Sequence, residues 1–188
     1  MPDFKLKILL VGAETKGKDS LIKNIAKNRF FGDYKLTVGV DILTRDVEYQ
    51  RGEVATLSIW DVGSQERFKD VRNHFYKGSA GAVLVFDLTQ ELTYKELREW
   101  FSEINETTGF IPFILIGNTI ELMKQTNAKL LREEARKFAE KKGGIYIEVS
   151  PEEGDILEKA LQDLTRKILD IHKDKNRSDD SPPKLFQY

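Results

Sequence analysis

Cysteine is absent from the 188-residue chain, which excludes disulfide bonds and thiolate metal sites and fits a reducing compartment. Histidine occurs twice, at His74 and His172. The two lie far apart in sequence, so metal-dependent hydrolysis held by histidines has little support, and His74 reads as a surface residue at a helix end. No apolar run approaches the roughly 20 residues that a membrane-crossing helix needs; "KILLV" and "AGAVLVF" are typical of the longest. The first residues, "MPDFKLK", lack the apolar stretch of a signal peptide. A surplus of one charge is missing as well. Lys and Arg number 30 against 31 Asp and Glu, a net charge of −1, so no global field points toward nucleic acid or an anionic membrane. There is no internal repeat and no domain boundary. The expectation is one cytoplasmic globular domain, monomeric when free, since 40% hydrophobic and 32% charged residues are ordinary for that class.

What is present is an alternation of apolar runs and amphipathic segments. Ile8 to Val11 form a short run that ends at Gly12, which predicts a buried strand entering a tight turn. Leu21, Ile22, Ile25 and Ala26 recur at helical spacing, so a helix is expected to start near Lys18. "DILTRDVEYQRGEVATLSIWD" reads as two strands joined by a turn at Arg51-Gly52. "AGAVLVFD", "IPFILIGN" and "IYIEVS" read as further strands. Leu97, Trp100, Phe101 and Ile104 define one helical face. Leu131, Ala135, Phe138 and Ala139 define another, which a double glycine terminates. Leu157, Leu161, Leu164, Ile168 and Ile171 form the apolar stripe of a last helix. Strands alternating with helices imply a mostly parallel sheet covered on both faces, with the hairpin contributing one antiparallel edge. From about Asp174 the polar "DKNRSDDSPPKLFQY" is expected to be a disordered tail. Its Leu185, Phe186 and Tyr188 are a candidate docking peptide.

The stretch "VGAETKGKDSL" places Gly12, four residues, then Gly17 and Lys18 between a strand and a helix. Glycines there let backbone amides face a phosphate, the helix N-terminus adds positive potential, and the lysine acts as a point charge. In order along the chain follow "YKLTVGVD", "WDVGSQERF", "LIGNTIEL" and "EVSPEEG". With these motifs residues 5 to 172 resemble the Ras-like small GTPases, the Rab branch most closely. The resemblance implies an α/β, P-loop NTPase-like three-layer fold. That fold has a mostly parallel six-stranded sheet, one antiparallel edge strand and about five helices, with a G domain over residues 1–173.

It also implies a ligand, GTP or GDP with Mg2+. Gly12, Ala13, Glu14, Thr15, Lys16, Gly17, Lys18, Asp19 and Ser20 would wrap the phosphates, and Phe30 would stack on the base edge. Thr37, Asp61 and the residue at position 19 would attend the metal. Ser64 would present its amide to the terminal phosphate, and Gln65 would orient the water for slow hydrolysis, as that residue type does in phosphoryl transfer. Asn118 and Glu121 would contact the base, with Ser150 supporting its pocket.

Several positions depart from the family pattern. Asp19 stands where the family has Ser or Thr. A carboxylate is a good ligand for a hard cation, but without the metal it repels the nucleotide by about 3 kcal/mol at roughly 5 Å and an effective dielectric near 20. Glu14 adds a second negative charge, which Lys16 offsets in part if it is not simply a solvated loop lysine. Ser64 stands where the pattern has glycine, which narrows the backbone's options. The guanine-reading Asn-Lys-x-Asp is here Asn118, Thr119, Ile120, Glu121. Pro151, with no N–H to donate, replaces alanine, and Glu152 replaces lysine.

Two expectations follow. One is a magnesium-dependent nucleotide switch that hydrolyses GTP slowly; the other is a pseudo-GTPase kept as a protein-binding module. A P-loop nucleotide kinase is a poorer fit, because no cluster of arginines marks a lid. Effector or regulator proteins are expected at the switch surface, where Trp60, Phe68 and Phe75 form either an aromatic patch or partly buried packing. With no cysteine in the sequence, no prenyl anchor is expected.

Overall fold

The computed structural model describes residues 4–13, 15–26, 34–36, 40–63, 69–118, 128–150 and 154–178. Its centre is three parallel strands: β1 (Phe4–Gly12), β5 (Gly81–Asp87) and β6 (Phe113–Asn118). Consecutive residues in a strand face opposite sides of the sheet, yet Ile8, Leu9 and Leu10 are all fully buried. Helices must therefore cover both faces, which is why these strands read as unbroken apolar runs rather than alternating ones.

On one face Leu6, Ile8 and Leu10 pack with Leu21 and Ile25 of α1 (Lys16–Ala26) and with Leu157, Leu161, Leu164 and Ile168 of α5 (Gly154–Ser178). On the other, Leu9 and Val11 pack with Leu97, Trp100 and Ile104 of α3 (Glu91–Thr108) and with Leu131, Ala135 and Ala139 of α4 (Ala128–Lys141). Burying a leucine of either stripe contributes roughly 1.5–3 kcal/mol. Phe138 is only half-buried, but its ring meets Phe101 edge-on at 5.1 Å, so the expected faces of both helices hold. The double glycine ends α4 as expected: Gly143 takes a φ of 72°, and its amide and that of Gly144 donate to Glu140 and Ala139 carbonyls, a left-handed helix stop that favours glycine.

The hairpin strands are β3 (Val40–Gln50) and β4 (Glu53–Val62), joined by Arg51 and Gly52 at φ 78°. A short α2 (Lys69–Tyr76) follows, carrying exposed His74 in its last turn, and β7 (Ile145–Val149) completes the far edge. A further strand, β2 (Tyr34–Leu36), pairs with Val40–Ile42, giving the order β2-β3-β4-β1-β5-β6-β7.

Among the described residues the six expected strands and five helices are thus present, and β3 is the one strand there that runs antiparallel to the rest. Three details differ from expectation. β2 is a seventh strand, so β3 is not the outermost strand along Val40–Ile42; three residues carry no legible period. The helix expected to start near Lys18 begins at Lys16, because apolar spacing marks only its buried face. α5 runs on to Ser178, past the Asp174 where a disordered tail was expected; a polar helix end needs no apolar stripe to continue.

Candidate functional site

The C-terminal ends of β1, β4, β6 and β7 lie along one edge of the sheet. Gly12 closes β1. A Cβ built on it would lie 2.4 Å from the Val85 carbonyl oxygen, so only glycine allows the chain to turn there against β5. Ala13 and Thr15 follow, both half-buried. Thr15 serves as a local cap: its Oγ1 accepts from the Lys18 amide at 3.3 Å, satisfying a donor that a helix start leaves free, and its carbonyl takes the first intrahelical bond from the Asp19 amide at 3.2 Å. Lys16 and Gly17 open α1.

Lys18 is 3% exposed. Its Nζ reaches back to the Gly12 carbonyl at 3.4 Å and to the Asp61 carboxylate at 2.7 Å. Burial pushes the Asp61 carboxyl above the usual carboxylate range; Lys18 opposes that shift, while Asp41 and Asp19 add to it. Asp41 stands directly across from Asp61 in the β3–β4 register. Asp19 is exposed on the first turn of α1, and Ser20 is half-buried beside it. Three carboxylates therefore share the field of one buried ammonium. Among the described residues no three carboxylate or histidine groups come together as a metal site, so a hard cation here would draw on Asp61 with oxygens from elsewhere; the glycine cradle with its lysine suits a phosphate.

Asn118, 6% exposed, ends β6 and pairs with Val149. Ser150 follows β7 immediately and is half-buried. β5 alone separates β1 from β6, so at strand spacings near 4.8 Å the glycine cradle and Asn118 are about 10 Å apart. Beneath Ser150, Glu148 accepts from Arg132 Nε at 2.8 and 3.0 Å and from the Tyr146 hydroxyl at 3.0 Å, tying β7 to α4.

The structure brings together Gly12, Ala13, Thr15, Lys18, Asp19, Ser20 and Asp61, and places Asn118 and Ser150 further along the same edge. Glu14, Phe30, Thr37, Ser64, Gln65 and Glu121 lie outside the described residues, as do Phe68, Thr119, Ile120, Pro151, Glu152, Leu185, Phe186 and Tyr188. Of the expected aromatic patch, Trp60 and Phe75 meet with ring centroids 6.5 Å apart. Asp41 and Val85 were missed by sequence reasoning. Asp41 stands in the quoted "TVGVD", but only strand register reveals that it faces Asp61. Nothing local marks the Val85 carbonyl as the wall against Gly12.

Strand order, glycine cradle and buried lysine define a phosphate-loop domain of the GTPase kind. The Ras family model matches residues 7–170. "Ras-related protein Rab11A" of Lotus japonicus is similar, 34% identical over 170 residues that cover 90% of this chain and 74% of that protein. The chain belongs to the Ras family and is a Rab-type small GTPase. That family in general binds guanine nucleotide with magnesium, and effector and regulator proteins. Among the described residues no helix is long and apolar enough to cross a membrane.

Proposed function

We propose that the chain is a cytoplasmic, magnesium-dependent GTP/GDP switch that hydrolyses GTP slowly, its G domain spanning residues 1–173 with the end of α5 beyond. The observation that carries this reading is the pairing of Lys18 with Asp61 at 2.7 Å beside Gly12. A lysine buried at the mouth of a glycine cradle is positioned to exchange one anionic partner for another, and the phosphates supply the alternative anion. Magnesium, when bound, would supply positive charge to the phosphate oxygens. Asp61 and Asp19 are the described residues that would hold it, with Thr37 as a third ligand. Glu14, Lys16, Gly17 and the amide of Ser64 would complete the phosphate contacts. Phe30, Asn118, Glu121 and Ser150 would hold the base, and Gln65 would orient water.

The second reading, a pseudo-GTPase acting as a protein-binding module, is favoured by Asp19. Its exposed carboxylate adds to the field of Asp41 and Asp61, so net negative charge surrounds the cradle whenever the metal is missing. Calorimetric titration of nucleotide-free protein with GTP, GDP and ATP, with and without Mg2+, separates the two. Tight, Mg2+-dependent binding of the guanine nucleotides supports the switch. Equal weak binding of all three, or none, leaves the module.

A further inference from the structure

A cavity of about 350 Å³ opens on the sheet away from the glycine cradle, and Lys5, Lys7, Lys77, Trp60, Ser58 and Thr44 line it. Lys5 and Lys7 of β1 and Ser58 and Trp60 of β4 share one sheet face by alternation, and Lys77 overhangs from the turn after α2. The lining holds three ammonium groups and no carboxylate. The nearest acid in register, Asp46, is engaged as acceptor of the Thr56 hydroxyl at 2.7 Å.

Lys7 is the unusual member. Its Nζ donates to the Lys77 carbonyl at 2.9 Å and sits 3.9 Å from the centre of the Trp60 ring. Among the described residues it has no carboxylate partner. Burial pulls its ammonium down to about 8, with no nearby acid to offset the shift. Lys7 has three N–H donors, and only one is spent on a carbonyl. A half-buried cation against an aromatic face, flanked by two exposed lysines and a serine hydroxyl, has the chemistry to hold an anion.

We propose that this cavity receives a glutamate or aspartate side chain from an acidic segment of a partner protein. The source follows from the charge balance. A lipid surface is recognised by four to eight clustered basic residues on an exposed face, whereas here three lysines line a recess on a chain of net charge −1. A single carboxylate reaching down to Lys7, with Lys5 and Lys77 at the rim, matches that count. The inference rests on the reading of the chain as a partner-binding protein. The site adjoins the aromatic patch of the switch surface, since Trp60 belongs to both, while its other lining residues lie on strands β1, β3 and β4 and on the turn after α2.

The test is a titration of 15N-labelled full-length protein with acetylated, amidated tri-glutamate, followed by NMR at 150 mM salt. The expected result is saturable movement of the Trp60 indole N–H and the Lys7 and Ser58 amides, with a millimolar Kd. That Kd should be at least fivefold weaker in Lys7→Gln. Lys77→Gln, altered at an exposed side chain, should weaken binding about twofold to threefold with the fold intact, which guards against a Lys7 variant that misfolds. Inorganic phosphate and vesicles of phosphatidylcholine with 20% phosphatidylserine are run alongside. Shifts that do not saturate, that persist unchanged in both variants, or that appear with phosphate or vesicles but not with the peptide overturn the proposal. Peptide binding by protein that fails to bind GTP would sink the switch reading and leave this site standing; GTP binding without peptide binding would do the reverse.

Discussion

Lys18 and Asp61 form an ion pair of 2.7 Å with side chains 4% and 16% exposed, at the meeting point of α1 and the end of β4. Two charges taken this far from water each lose solvation that only the partner offsets. Anything that draws Lys18 toward a phosphate must therefore leave Asp61 a new cation, and in this family magnesium is the candidate. Nucleotide and metal should bind as a coupled pair.

Asp19 tests that coupling. Asp19→Ser removes one carboxylate from the cradle. Because Asp19 is exposed, solvent screens its repulsion, and the gain in chelator is expected to be roughly tenfold in nucleotide affinity rather than the hundredfold of a desolvated charge. With saturating Mg2+ the difference should shrink or reverse. Calorimetry of both proteins in EDTA and in Mg2+ reads it; an equal gain under both conditions would show that Asp19 never meets the metal.

Gly12→Ala should be costly even without ligand. The new Cβ would lie 2.4 Å from a backbone oxygen of β5, a clash that no rotamer relieves. A loss of about 2–3 kcal/mol is expected from overpacking of this kind, measured by urea unfolding. A loss below 0.5 kcal/mol would mean that the strand end is free to shift.

The Arg132–Glu148 pair, with side chains 34% and 25% exposed, should show a coupling of about 1 kcal/mol in a double-mutant cycle. Arg132→Ala should also weaken nucleotide binding more than it lowers stability, because the pair ties β7, which ends at Ser150, to α4. Equal affinity in the variant would detach this network from the base pocket.

Lys7 gives a pH dependence with a definite sign. Its ammonium is held down to about 8 from 10.5, so between those values the unfolded chain binds more protons than the folded one. Stability from this group therefore rises with pH across that window and is lowest below it. Lys7→Met removes the term. Thermal unfolding should show wild type gaining on the variant from pH 8 to 10.5, and a flat difference would refute the burial of Lys7.

Much of the framework was legible in the sequence because its signals are local. "ILLV" ending at Gly12 is a buried strand by composition alone, and the α3 and α4 stripes follow from spacing of three and four. The strand, glycine turn and helix that carry Lys18 were legible because their residues are near neighbours. The pairing of Lys18 with Asp61, the facing of Asp41 and Asp61, and the cavity around Lys7 were not. Each joins residues that only strand register brings together, and "IYIEV" gives no hint that its Glu148 anchors a network. β2 escaped for a different reason, since three residues are too few to show a period.

Strand β3 is fastened very unevenly along its length. Its distal half is bolted down: buried Arg45 donates to the Asn24 and Ile25 carbonyls of α1 and pairs with Glu158 of α5, and Arg166 donates to the Tyr49 carbonyl at 2.6 Å. Its first residues, Val40–Ile42, lie at the site and are hydrogen-bonded to β4 and the short β2, with Val40 packed into the core around Leu9 and Val11 and no side-chain clamp of that kind among the described residues. The strand is a cantilever, clamped at one end and loaded at the other. Displacement at the site should fade before Arg45, so events around Asp41 and Asp61 would bend the tip of the hairpin nearest the cradle while its root, at the Arg51-Gly52 turn, stays still.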